Sequence, residues 1–248
     1  FAMLKKALVI IILLSNIIMA QGQKIVMSFG ENIPPYTFPE TNSGLEVEVI
    51  REALAFKGHV LIPEYYPLAR VPLAFKDKWV DAATTDLGED LRKFGGHYAQ
   101  PAVWFDNVFI TLKENNVSIK TPKDLKKLSV LSFQGAIKRY PKWLNDVAKE
   151  GNYYEQNNQE AQVLSLDKKR VEVILSDSKI FKYFTLKLKK EKKFTLKEVE
   201  EHHFVKLDIM DYRPIFRDEK IRDHFNEGLK HIKIMGKYDE IFNKYLKE

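Results

Sequence analysis

Two hydrophobic patterns follow one another along the chain. Lys5 and Lys6 lead into an apolar run from Ala7 to Ala20, interrupted only by Ser15 and Asn16, and polar Gln21, Gly22 and Gln23 close it. Beyond that, short β-rich runs alternate with segments whose apolar positions recur at helical spacing. Ile25 to Phe29 reads as a strand. Asn42, Ser43 and Gly44 cap a helix from Leu45 to Lys57 that Gly58 stops. Val60 to Glu64 is the next strand, Leu68 to Phe75 a short helix with Pro72 in its first turn, Val80 to Thr84 a strand, and Glu89 to Phe94 a brief helix. Val103 to Leu112 reads as a long strand, and Thr121-Pro122-Lys123-Asp124 as an N-cap followed by proline at the first helical position.

A second set of alternations then begins. Strands are expected at Val130 to Phe133, Tyr153 to Gln156 and Val171 to Leu175, and helices at Ala136 to Glu150, Gln159 to Lys168 and Ser178 to Leu186. After a strand at Tyr212 to Arg217 come two terminal helices separated by Gly236. The first carries an apolar stripe of Ile221, Phe225, Leu229 and Ile232, the second one of Tyr238, Ile241, Phe242, Tyr245 and Leu246. Strands alternating with helices predict an α/β fold whose sheets are covered on both faces. Ligands of such sheets sit beyond the carboxyl ends of the strands.

The opening run has the layout of a secretory signal peptide, a charged start, an apolar stretch and a small-residue exit. A bilayer span takes roughly 20 apolar residues, so this interrupted run is too short for one. Cleavage is expected after Ala20, with Gly22 as the second choice, and residues 1–22 are assigned to the leader. Phe1 and Ala2 precede the expected initiator Met3.

Composition narrows the reading. The chain has no cysteine, which leaves an exported protein without disulfides or a thiol to carry a lipid and favours a periplasmic location. Losing Lys5 and Lys6 takes the excess of basic over acidic residues from 6 to 4. So mild a charge does not support nucleic-acid binding, and the basic run Lys187 to Lys197 reads as a solvated face. About 225 mature residues suit two lobes of ordinary size.

Several pieces together resemble the bacterial extracellular solute-binding proteins, family 3, of the polar amino-acid type. They are Pro34-Pro35-Tyr36-Thr37-Phe38 followed by Gly44-Leu45-Glu46-Val47-Glu48; Trp79-Val80-Asp81-Ala82; Arg92 shortly before Pro101; Thr121 to Leu125; Gln134-Gly135; Arg170-Val171-Glu172 leading to Asp177; and Ile221 to Asn226 through Gly236-Lys237-Tyr238 to Leu246. The resemblance implies a type II periplasmic-binding-protein-like fold of two lobes, each a mixed, mostly parallel sheet flanked by helices. Residues 23–110 and 212–248 would form lobe 1 and 111–211 lobe 2, with a two-strand hinge near Phe109 to Lys113 and Asp211 to Phe216. It also implies a monomer that carries a small-molecule solute to an inner-membrane ABC permease, with no cofactor.

The resemblance assigns ligand contacts to Tyr36, Arg70, Thr84, Thr85, Arg92, Gln134 and Asp177. Arg92 matches the family's carboxylate-binding arginine, and its fork suits a bidentate grip; the alternative is a surface pair with Glu89 or Asp90. Asp177 matches the acid that takes a ligand ammonium, yet an aspartate there also caps the following helix. Tyr36 is either the aromatic wall of the cleft or packing, and Arg70 either a second cation in the cleft or a solvated one. Ala136 and Ile137 replace the hydroxyl residue usual after Gln134-Gly135, so backbone amides alone remain at that helix start.

Catalytic motifs are lacking: there is no Gly-x-Ser-x-Gly, no His-Glu-x-x-His and no phosphate-cradling glycine loop, so no catalytic residue is assigned. His202 and His203, adjacent on one strand, point to opposite faces and make a poor metal site. The same fold hosts enzymes such as the cyclohexadienyl dehydratases, and also sensory domains. Glu64, Asp86 and Asp177 are the acids an enzyme would draw on.

Overall fold

The computed structural model describes residues 22–192, 195–206 and 212–247. The expected leader lies outside them apart from Gly22. Strand β1 (Lys24–Gly30) is buried on both faces: Ile25, Met27 and Phe29 enter one apolar cluster, and Val26 packs against a second one formed by Val71, Ala74 and Phe75. The chain continues through α1 (Leu45–Ala55), β2 (Val60–Tyr66), α2 (Val71–Lys76), β3 (Ala82–Ala83) and β4 (His97–Tyr98). A late strand, β10 (Ile215–Phe216), enters between β3 and β4, giving the order β2-β1-β3-β10-β4. β1 runs parallel to β2 and β3, and β10 antiparallel to both of its neighbours.

The second sheet contains β5 (Asn107–Leu112), β6 (Val130–Ser132), β7 (Tyr153–Glu155), β8 (Val173–Asp177) and β9 (Val199–His202), in the order β7-β6-β8-β5-β9. β6 is parallel to β7 and β8, and β5 antiparallel to β8 and β9. Helices α3 (Ala136–Arg139), α4 (Pro141–Lys149), α5 (Gln159–Asp167) and α6 (Ser178–Lys192) cover it. On β5, Val108, Ile110 and Leu112 join one cluster and Phe109 another, so this sheet too is sandwiched. The fold is two-lobed, with one five-stranded mixed sheet in each lobe.

Helices α7 (Glu219–Ile234) and α8 (Lys237–Leu246) bring the chain end back onto the first sheet. The α7 stripe is buried, with Ile221, Phe225, Leu229 and Ile232 all in the core beside α1, and in the α8 stripe Tyr238 and Ile241 are buried while Phe242, Tyr245 and Leu246 are half-buried against the same cluster. A Cβ at Gly228 would stand 1.9 Å from the Ala53 carbonyl oxygen, so only glycine lets α7 approach α1 this closely.

Three expectations are corrected. The strand read from Val103 begins at Asn107, which already pairs with Asp177 in the second sheet, so the first crossing segment is Ala99 to Asp106 and not Phe109 to Lys113. The expected return crossing near Asp211 to Phe216 lies partly outside the described residues, and Ile215 and Phe216 belong to the first sheet. The helix read from Ala136 to Glu150 breaks at Tyr140 (φ −125°), because a proline at 141 disfavours helical backbone in the residue before it.

Candidate functional site

Between the lobes lies a cavity of about 180 Å³. Gly30 ends β1, Thr84 and Thr85 follow β3, Phe133 follows β6 and Asp177 ends β8, so it sits at the carboxyl ends of strands from both sheets. Phe105, Ile33, Leu68 and Ile180 supply apolar wall. Its charged lining residues are Glu46, Asp177 and Arg139.

Glu46 is the second residue of α1. The chain reaches that helix through Gly44 (φ +123°), where a Cβ would lie 2.2 Å from the Tyr36 carbonyl oxygen. The Glu46 side chain is 5% exposed, and among the described residues its carboxyl group has no hydrogen-bond or ion-pair partner. Burial alone pushes it up to about 8. The amides of the first helical turn would favour an anion there, but desolvation outweighs them.

Asp177 is buried as well, at 2% exposure, but it is well provided. Oδ1 accepts from the amides of Lys179 and Ile180 at 3.0 Å each and lies 3.1 Å from the Tyr36 hydroxyl, and Oδ2 accepts from the Asp106 amide at 2.6 Å. Burial raises its carboxyl above the usual range, while the Lys179 ammonium and these donors pull the other way. Asp177 therefore caps α6, as its sequence context allowed, and ties it to Tyr36 of the first lobe. Tyr36 is fully buried, with its hydroxyl also 3.1 Å from the Trp104 carbonyl and its ring centroid 4.1 Å from that of Phe105. It backs the cleft through Phe105 and is not among the lining residues.

Arg139 reaches the cavity from the second lobe. Its Nη1 donates to the Tyr212 hydroxyl at 2.6 Å and its Nε to that of Tyr140 at 3.0 Å, which holds the guanidinium against both rings. Phe105 packs between Tyr36 and Tyr212, with centroids 4.8 Å from the latter.

Of the seven residues singled out in the sequence, Thr84, Thr85 and Asp177 meet at the cavity. Arg92 does not. It sits in the 3-10 turn Leu91–Phe94, 73% exposed, with Nε and Nη2 donating to the two Asp90 oxygens at 2.7 and 2.9 Å. The same Asp90 caps that turn, so local pairing holds the fork outward. Arg70 ends the exposed turn Leu68–Arg70, from which Leu68 alone reaches the cavity, and Gln134 is exposed. The amides at the start of α3 are also taken: Glu155 accepts from Gly135 at 2.8 Å and Ile137 at 3.0 Å. Burial alone would raise the Glu155 carboxyl, but hydrogen bonds from Tyr153 and those two amides bring it below its ordinary range.

Sequence reasoning passed over Glu46 and Arg139. The signal for Glu46 was present: with Val49, Ile50 and Ala53 it stands at i, i+3, i+4 and i+7, an acid on the apolar stripe of a helix. Arg139 had none, because its reach depends on the break at Tyr140.

No protein-family model matches the sequence, and no curated protein matches it. Solved structures do match in shape. The chain has the fold of amino-acid-binding proteins. An ancestral cationic amino acid solute binding protein superposes with a TM-score of 0.69 at 17% identity, over 93% of this chain and 98% of that one. A probable amino-acid ABC transporter extracellular-binding protein from Bacillus subtilis gives 0.65 at 16% identity, over 92% and 100%. A histidine kinase sensor domain with similarity to periplasmic binding proteins gives 0.62 at 18%, over 92% and 98%.

Proposed function

We propose that the interlobe cleft captures a small cationic solute of amino-acid size, for delivery to an ATP-driven importer. The carrying observation is Glu46, a buried carboxyl group on the cavity wall with no counter-charge of its own. Asp177 already has four donors and Lys179 nearby, so of the two acids Glu46 is the one that gains from a cation. Arg139, from the opposite lobe, is placed to meet a carboxylate, with Thr84 and Thr85 offering hydroxyls. A cavity of about 180 Å³ is small beside sites for drug-sized ligands. An arginine- or lysine-like molecule fits both its charge pattern and its size. The cationic amino acid solute binding protein among the shape matches supports the same class, and the ABC transporter extracellular-binding protein among them supports the importer.

A thermal-shift screen with arginine, lysine and ornithine against glutamate, glutamine and a sugar acid tests the reading. The basic amino acids should raise the melting temperature, and Glu46→Gln should remove most of that rise. Stabilisation by acidic ligands alone, or an undiminished response in the variant, would reject it. A carboxyl group raised to about 8 is also what a general acid needs, and turnover of prephenate or arogenate would favour a dehydratase instead.

A further inference from the structure

A second depression, of about 450 Å³, opens on the first lobe among the turn Leu91–Phe94, β4 and the start of α7, and shares no lining residue with the cleft. Arg92, Arg213, Arg222, His97 and Tyr98 line it, with no carboxylate among the lining residues. Two of the arginines have partners. Arg92 is held bidentately by Asp90, and Arg222 donates to Glu219, Asp223 and the Tyr98 carbonyl.

Arg213 has none of these. Its guanidinium lies 4.6 Å from the centroid of Tyr98, and its Nε is buried without an acceptor. Among the described residues it makes no ion pair. The Tyr98 hydroxyl is already donated to Asp86, so the ring offers only its face. Buried donors are rarely left without an acceptor in folded proteins, and since Arg92 faces Asp90, Arg222 faces Glu219 and Asp223, and His97 Nδ1 lies 3.8 Å from Glu219, Arg213 is the lining cation left without a counter-charge among the described residues.

We propose that this depression binds a phosphate group, free or as an anionic lipid head group, with Arg213 as the anchor. One flat fork would suit a carboxylate as well. Here arginine side chains from the turn Leu91–Phe94, from the segment before β10 and from α7, with an imidazole from β4, line one depression, so cationic groups border it on several sides, as a tetrahedral anion with spread charge requires. The opening is broad and at the surface, so a phosphate attached to a larger molecule has access.

Calorimetric titration with inorganic phosphate at fixed ionic strength, beside flotation with phosphatidic acid vesicles against phosphatidylcholine vesicles, tests this. Saturable binding of free phosphate, or selective capture by phosphatidic acid vesicles, is expected, and the two arms separate the sources. Arg213→Gln should weaken the interaction roughly tenfold or more, while the melting-temperature response to basic amino acids stays as in the unaltered protein. Arg92→Gln, changed at an exposed side chain, should weaken it several-fold and serves if the first variant fails to fold. Absence of saturable binding in both arms, or equal binding by both variants and the unaltered protein, would overturn the proposal.

Discussion

Burial raises the Glu46 carboxyl group from an ordinary 4.5 to about 8, so near neutrality the cleft holds it mostly protonated. The sign of the linkage follows. A carboxyl group raised in the folded state binds more protons there than in the unfolded chain, so its contribution to stability is complete below 4.5 and is lost as pH climbs through 8. Between pH 5 and 8 the ligand-free protein should lose stability that Glu46→Gln keeps, on the order of a few kcal/mol. Denaturant melts of both proteins across that range measure it. Parallel pH profiles would show that Glu46 is not desolvated as described. At the same scale the sequence was legible wherever a residue acts through local geometry: Asp177 as a helix cap and Thr121 as the start of a capped turn are both seen. At Arg92 the family pattern implied a ligand contact, and the alternative read beside it, a surface pair with Asp90, is the one seen.

Elements joined by a histidine pair carry a second pH dependence. The Gln23 amide, just before β1, donates to His59 Nδ1 at 3.1 Å, and His59 Nε2 lies 2.8 Å from His224 Nδ1 on α7. An acceptor at Nδ1 leaves the His59 proton on Nε2, from which it reaches His224. Burial lowers the His59 imidazole below its ordinary 6.5, His224 and Lys220 add to the effect, and Asp218 opposes it. A lowered base binds fewer protons folded than unfolded, so stability falls as pH drops below 6.5. His59→Gln should lose less melting temperature than the unaltered protein between pH 7.5 and 5.5; equal losses would show that His59 does not titrate in this window.

Helical elements with strong stripes, α1, α7 and α8, were readable because burial of one face fixes both their period and their partner. Strand β9 was not. Val199 to His202 alternates no apolar residues, and its pairing with β5 comes from the tertiary arrangement. The extension of α6 to Lys192, six residues past the expected end, likewise depends on neighbours: Leu188 is fully buried among residues of α5 and β5, and Lys187 pairs with Glu160.

The whole molecule joins two sheets whose strand ends face one cavity, and the seam is held from both sides. Tyr36 and Ile180 interlock the lobes, with the Tyr36 hydroxyl 3.1 Å from Asp177 and Ile180 seated in the first lobe's core. The α/β class could be foreseen because alternation of short strands and amphipathic helices persists along the chain, and the two lobes because chain length allows them and the family resemblance implies them. The cleft's chemistry could not, since Glu46 and Arg139 lie 93 positions apart in the numbering and meet only across the seam. Closing the lobes over a cation would place its charge against Glu46 and its carboxylate toward Arg139, and the carboxyl proton would then have to leave.

Titration calorimetry with arginine at pH 7, repeated in buffers of different ionisation enthalpy, counts that proton. Close to one proton released per arginine bound, falling to about zero in Glu46→Gln together with a large loss of affinity, is the predicted result. Tight binding with no proton released, or release unchanged in the variant, would contradict a cleft built around a buried acid awaiting a cation.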